Sequence, residues 1–208
     1  MKTMLIVTGP QGSGNHVFSK VFALHKQVYG WKELLNQYWI AHDHEPFASC
    51  WNNPEELKLM NFDSMDYYVT SISCPYANKG VVTIPNYEKF VNTLKELGIQ
   101  VKVAIIGRDQ NILKHQQLRV RERHSYVDFE KQLPYLLSLN PTFISQELLY
   151  LYKQDYLKTL SEQLNFPIDY QNDKIKEILK KDANSKYFVQ IEKTELDLLA
   201  RHVSGLGD

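Results

Sequence analysis

Apolar residues fall in blocks whose spacing changes along the chain. Met4-Leu5-Ile6-Val7-Thr8 is a nearly unbroken apolar run, the pattern of a strand buried on both faces, as in a parallel sheet. Gly9 to Gly14 holds three glycines and a proline in six residues and reads as a loop. From Asn15 to His25, the residues Val17, Phe18, Val21, Phe22 and Leu24 recur at the spacing of one helical face. Tyr67 to Ser73 is β-branched and aromatic and predicts a strand, which Cys74-Pro75 ends because proline has no donor for the ladder. Asn86 to Leu97 predicts an amphipathic helix with Phe90, Leu94 and Leu97 on one face and Gly98 as its stop. Val101 to Ile106 is a further buried strand, ending at Gly107-Arg108-Asp109. Strand, helix, strand in this order implies parallel pairing through a right-handed crossover.

The remaining segments are mainly helical. Trp31 to Trp39 fits either a second helix or part of an active-site segment, and His42 to Pro54 reads as a polar, aromatic loop. Gln110 to Arg123 is a polar, basic helix, which Tyr126 to Leu139 continues or follows. Thr142 to Ser145 predicts one more strand, and Leu148 to Leu164 a helix that Phe166-Pro167 ends. Asp173 to Lys181 predicts a short helix whose alternating charges face solvent.

Composition narrows the function classes. At 208 residues, 43% hydrophobic and 23% charged, the chain is expected to be a single soluble globular domain over residues 1–208. Lys+Arg and Asp+Glu both number 24, which argues against a grip on nucleic acid by the whole protein. A local patch stays open: Lys114, Arg119, Arg121, Arg123 and His124 form a basic stretch that could touch a polyanion or nucleic acid, with a solvated face as the default. Cys50 and Cys74 are too few for a disulfide framework and read as small buried apolar residues. The run from Met4 to Val7 is far too short for a signal peptide or a membrane span, so the expectation is a cytoplasmic protein.

The loop carries the chemistry. Gly9 and Gly14 match G-x-x-x-x-G, but Asn15 and His16 stand where a nucleotide kinase or GTPase has Lys and Ser or Thr. Main-chain N–H groups and the helix start remain, and these hold a phosphate-like anion without any side chain. The lysine for the transferring phosphate and the hydroxyl for magnesium are missing. The loop Gly9-Pro10-Gln11-Gly12-Ser13-Gly14-Asn15-His16 is therefore expected to bind an anion without metal.

Several segments together resemble the sulfotransferases that use 3′-phosphoadenosine 5′-phosphosulfate. Ser13-Gly14-Asn15-His16 resembles the Ser-Gly-Thr-Thr part of that family's 5′-phosphosulfate loop. Leu24-His25-Lys26-Gln27-Val28 is similar to the His-Pro-x-Val phrase of bacterial-type members. Ile105-Ile106-Gly107-Arg108 resembles the strand and arginine of the 3′-phosphate site, with Gln116 where the family has a serine about two helical turns on. Phe143 to Leu149, followed by a helix and Leu164-Asn165-Phe166-Pro167, resembles the family's Tyr-Glu-x-Leu and Leu-Gly-Leu-Pro phrases. Asn184-Ser185-Lys186-Tyr187 resembles the final cofactor-contacting segment. The chain departs from the pattern in lacking the basic residue of the 5′ loop, where Gln11 or Gly12 stands. The resemblance implies an α/β, three-layer P-loop NTPase-like fold with a central, mainly parallel sheet flanked by helices. It also implies sulfuryl transfer from that donor to a hydroxyl or amine on a small molecule or carbohydrate, with no metal.

Transfer needs a base. The resemblance points to Glu33 for that role and to Lys32 as the partner of the sulfonate, against ordinary surface charges on a helix. His16 sits where a helix dipole disfavours imidazolium, so a neutral ring could donate to the anion or act as the base, against a cap-like structural role. His42, Asp43, His44 and Glu45 carry a His-x-His spacing with no convincing third ligand and read as a polar loop near the acceptor. Two further functions stay open: a P-loop kinase of a nucleotide or nucleic-acid base, with Asp43 and Asp109 as magnesium ligands, and a phosphate- or nucleotide-binding protein without turnover.

Overall fold

The structure is a computed structural model that describes residues 1–31, 44–78, 80–121 and 125–180, and of 119–121 the backbone alone. Strand β1 (Thr3–Pro10) runs through the middle of the main sheet, and its apolar run is buried along its length. It pairs in parallel with β3 (Tyr67–Cys74) from Thr3↔Tyr67 to Pro10↔Cys74. On its other side it pairs in parallel with β6 (Gln100–Gly107) from Thr3↔Gln100 to Thr8↔Ile105. The short strands β2 (Val28–Tyr29) and β7 (Thr142–Ser145) flank these, giving the order β2-β3-β1-β6-β7, all parallel.

Side chains alternate across β1 and feed two cores. Leu5 and Val7 pack with Phe18, Val21 and Phe22 of α1 (Asn15–Phe22) and with Leu149, Leu157 and Leu160 of α7 (Gln146–Leu164). Met4 and Ile6 pack on the opposite face with Trp51 of α2 (Ala48–Asn52) and with Tyr87, Phe90 and Leu94 of α3 (Tyr87–Glu96). Trp51 stacks on Phe90 with ring centroids 3.8 Å apart, and its Nε1 donates to Thr70 Oγ1 at 3.0 Å. Helices on both faces of a parallel sheet make the three-layer α/β architecture.

Several elements differ from the periodicity reading. Helix α1 stops at Phe22 rather than His25, because the chain turns there into β2. Within the segment read as loop, Ala48–Asn52 is helical and a 3₁₀ turn follows at Pro54–Leu59. Burial of Phe47, Cys50 and Trp51 stabilises that helix where the local sequence gives no helical period. A small antiparallel pair, β4 (Tyr76–Asn78) and β5 (Val81–Thr83), turns through Gly80 at φ 81°. Helix α4 spans Gln110–Arg121, and the stretch after it splits into α5 (Tyr126–Glu130) and α6 (Leu133–Ser138), with Pro134 in the first turn of α6. Helix α7 starts at Gln146, where Ser145 Oγ accepts from Leu148 N at 3.2 Å, and it breaks at Lys153 (φ 48°, ψ −113°). A last helix, α8, spans Lys174–Leu179. Cys50 and Cys74 are both buried and free. Among the described residues, no helix is long and apolar enough to cross a membrane.

The outer edge of β3 is closed by a carboxyl group. Strand β2 pairs only with Tyr67 and Tyr68. Farther along, Ser71 N donates to Glu45 Oε1 at 2.9 Å, and Phe47 N donates to Glu45 Oε2 at 3.0 Å. Glu45 lies in a loop, as its sequence suggests, and within that loop His44 is exposed while Glu45 is buried and bonded to main-chain amides. His42 and Asp43 lie outside the described residues. Burial is the largest influence on Glu45 and pushes its pKa from the ordinary 4.5 up to about 8, against the opposing pull of its hydrogen bonds. The folded pKa lies above the unfolded one, so the stabilisation is complete below the ordinary value and is lost as pH rises through the folded one. Between about 4.5 and about 8 the Tm is expected to fall. Glu45→Gln should be less stable at acid pH, since its NH₂ cannot accept from Phe47, yet show a shallower decline. Thermal melts across that range check this, and equal slopes for both proteins would contradict it.

Candidate functional site

β1 ends between β3 and β6, at the carboxyl edge of the sheet, where ligands of open α/β sheets bind. The chain turns at once, with Ser13 N donating to Pro10 O at 3.0 Å. Gly12 (φ 91°) and Gly14 (φ 98°) adopt left-handed backbone, which glycine enters without the Cβ penalty. A side chain would also meet the ends of two glutamines, which would have to shift. A Cβ on Gly12 would lie 2.8 Å from Gln116 Oε1, and one on Gly14 would lie 2.8 Å from Gln146 Oε1. Gly14 then caps α1: its carbonyl accepts from Val17 N at 3.0 Å and Phe18 N at 3.3 Å. The amides of Gly14 and Asn15 find no acceptor among the described residues. They are the open donors that a helix start offers to an anion.

A polar shell surrounds the loop. Gln117 Nε2 donates to Gln11 O at 2.9 Å, while Gln117 Oε1 accepts from Ser125 N at 2.9 Å. Arg108 Nη1 donates both to Gly12 O and to Gln116 Oε1. Ser13 Oγ, Asn15 Nδ2 and Gln146 Oε1 are buried with no hydrogen-bond partner among the described residues. A buried polar atom without a partner costs about 1–3 kcal/mol. Solvent reaches the loop at Gly12, Gly14 and His16, which are half-buried.

The structure brings Gly9, Pro10, Gln11, Gly12, Ser13, Gly14, Asn15 and His16 together with Arg108 and Gln116. Lys32, Glu33 and Lys186 lie outside the described residues, as do Arg123 and His124 and the side chains of Arg119 and Arg121. His16 is the second residue of α1, and its ring centroid lies 5.1 Å from that of buried Trp31. Lys20, one turn on, holds its Nζ 5.9 Å from the same ring, and burial lowers its pKa. Asp109 Oδ1 accepts from Asn111 N and Ile112 N, each at 2.9 Å, which caps the start of α4. Among the described residues, no group of three or more His, Cys, Asp or Glu gathers to hold a metal.

Sequence reasoning missed Gln117, Gln146 and Lys20. Gln117 had a signal: it lies one turn beyond Leu113, which is buried, so it continues the inward stripe of α4. Gln146 had none, because only the three-dimensional approach of β7 to Gly14 gives it a role.

No protein-family model matches the chain, and no curated protein matches it. Among solved structures, a mouse sulfotransferase complexed with PAP is similar with a TM-score of 0.46 at 15% identity, over 86% of this chain. This chain spans 63% of the length of that sulfotransferase. The tunicamycin resistance protein of Deinococcus radiodurans is similar with a TM-score of 0.45 at 12% identity, over 81% of this chain and 98% of its own. The architecture, read from strand order, is an α/β fold with a central parallel sheet flanked by helices and a glycine-rich turn between β1 and α1.

The loop glycines can be compared with Gly98, which also has a positive φ, of 71°, but has nothing within 4 Å of a Cβ placed there. Gly98→Ala bears backbone strain alone, about 1–2 kcal/mol. Gly14→Ala adds displacement of Gln146 and should destabilise more, toward about 3 kcal/mol. Urea denaturation of the two variants measures this. An equal or smaller loss for Gly14→Ala would mean that Gln146 does not press on the loop.

Proposed function

We propose that residues 9–16 hold the anionic 5′ end of an adenine nucleotide without a metal ion. On this reading the chain transfers a sulfuryl group from 3′-phosphoadenosine 5′-phosphosulfate to a hydroxyl or amine on a small molecule or carbohydrate. The observation that supports it is the left-handed Gly12–Gly14 turn, with the open amides of Gly14 and Asn15 and with Arg108 against the Gly12 carbonyl. Main-chain donors of this kind hold a sulfonate or phosphate through geometry and the helix field. A kinase instead needs a lysine and magnesium ligands at the transferring phosphate, and the loop has Asn15 and His16 in those places.

In the transfer, the acceptor oxygen or nitrogen forms a bond to sulfur. The bridging S–O bond to the 5′-phosphate breaks, and the acceptor proton passes to a base. The nucleotide bisphosphate leaves with the bond's electron pair. Glu33 and His16 are the proposed bases, Lys32 the proposed partner of the sulfonate, and Lys186 a proposed nucleotide contact. His16 has the better-defined setting, at the start of α1 and packed by Trp31. The proposal keeps the chain as one domain.

Thermal shift in the presence of EDTA tests the binding claim. 3′-Phosphoadenosine 5′-phosphate at a hundredfold its Kd should stabilise by about 2.7 kcal/mol. Stabilisation only by ATP with magnesium would favour the kinase reading instead. For turnover, His16→Ala or Glu33→Gln should lower kcat about 100-fold or more while leaving nucleotide affinity intact. Binding with no turnover on any acceptor would reduce the function to nucleotide binding.

A further inference from the structure

We infer that Lys153 is a positioning residue for the anion loop: it breaks α7 so that residues 146–152 lie against residues 9–16 and the turn after β6. The inference rests on the nucleotide reading above for what the loop holds. It assigns the setting of that loop's neighbours to a residue outside the ligand site. The inward residues of α7 are Leu149, Leu157, Leu160 and Leu164, all buried in one core. Lys153 falls four residues after Leu149 and four before Leu157. In an unbroken helix these positions share one face, so a straight α7 would carry the lysine into the middle of the apolar stripe. An ammonium group is costly to bury there. The chain breaks instead. Lys153 takes φ 48° and ψ −113°, and it is exposed. These angles lie near those of the first central residue of a type II′ turn, which glycine favours and which strains a residue with a Cβ. Leu149 before the break and Leu157 after it both stay in the core.

The segment before the break meets the site at two points. Gln146 lies against Gly14, its Oε1 2.8 Å from where a Cβ on that glycine would be. Glu147 Oε1 accepts from Asp109 N at 2.9 Å, and Asp109 caps α4 directly after Arg108. The segment after the break is anchored elsewhere. Leu157 and Leu160 hold it in the core, and Tyr156 OH accepts from Ser145 N, at the end of β7, at 2.7 Å. Straightening α7 would turn one segment against the other. With the second segment fixed by the core, the first has to move, which draws Gln146 from Gly14 and Glu147 from the Asp109 amide. The contacts that flank the anion loop on this side are thus set by a backbone break about two helical turns away. A polar residue on the apolar stripe is what keeps that break in place.

Two substitutions at this one position test the inference. Lys153→Gly relieves the strain and keeps the break, so its Tm should match or exceed that of wild type, although glycine inside an ordinary helix lowers it. Lys153→Leu completes the apolar stripe and favours the straight helix. In ¹⁵N spectra of the free protein, the amide signals of Gly14 and Asp109 should move in Lys153→Leu and keep their wild-type positions in Lys153→Gly. In calorimetric titration with 3′-phosphoadenosine 5′-phosphate in EDTA, Lys153→Gly should bind as wild type does, and Lys153→Leu about tenfold more weakly. Any of three results would overturn the inference: a Tm for Lys153→Gly below wild type, Gly14 and Asp109 amides unmoved in Lys153→Leu, or equal nucleotide affinity in wild type and Lys153→Leu. The melt of Lys153→Gly decides the matter even if Lys153→Leu does not fold. Wild-type protein that binds no nucleotide would overturn the nucleotide reading instead, and the free-protein spectra would still decide the role of Lys153.

Discussion

The double-sided pairing of β1 is the constraint from which the site follows. β3 and β6 hold the strand in fixed register, one along its whole length and the other as far as Thr8. Both faces of it are packed, so the strand has no freedom to slide or tilt. Thr8, one residue before the loop, is fixed further, by its donation to Ile72 O at 2.8 Å and its contact with Tyr87 OH at 2.6 Å. A short turn that leaves so rigid a strand is delivered to one place. The glycine turn, the first amides of α1 and the residues that follow β6 and β7 all converge there.

The electrostatics of the loop divide between backbone and neighbours. Within residues 9–16 the only ionisable side chain is His16. The helix start supplies oriented amides and a partial positive field. Arg108, which follows the parallel neighbour of β1, donates to the Gly12 carbonyl from outside the loop. Glutamines, not carboxylates, fill the space beside the turn: Gln116 at Gly12, Gln117 at Gln11 and Gln146 at Gly14. Neutral amides can donate or accept by a half-turn, so they add no negative charge beside the turn. The nearby buried carboxyl, Glu45, is engaged by main-chain amides of β3 and of Phe47 and closes a sheet edge.

Much of the framework was legible because burial leaves a periodic trace. The unbroken run Met4 to Thr8 and the run Val101 to Ile106 announced central parallel strands, and the spacing of Val17, Phe18, Val21 and Phe22 announced α1. The loop was legible for a different reason: glycines at 9, 12 and 14 leave a signature wherever other atoms crowd the backbone. Arg108 and Gln116 came through the family resemblance alone, because nothing in their own spacing marks them. Helix α2 was missed because Ala48 to Asn52 is too short to show a period, and its stability comes from Trp51 stacking on Phe90, far along the chain. The burial of Glu45 was not legible because a carboxyl that completes a strand edge has no local pattern at all. Gln146 belongs to the same class, since its partner Gly14 lies more than a hundred residues away.

The central claim is that bare amides at the start of α1 hold a nucleotide's anionic end. Nuclear magnetic resonance of ¹⁵N-labelled protein, titrated with 3′-phosphoadenosine 5′-phosphate in EDTA, tests it at the atoms concerned. The account predicts that the amide signals of Gly12, Gly14 and Asn15 move most and saturate together. Shifts that leave these amides in place and gather instead at the opposite end of the sheet, around the cavity lined by Lys2, Phe62 and Ile99, would contradict it.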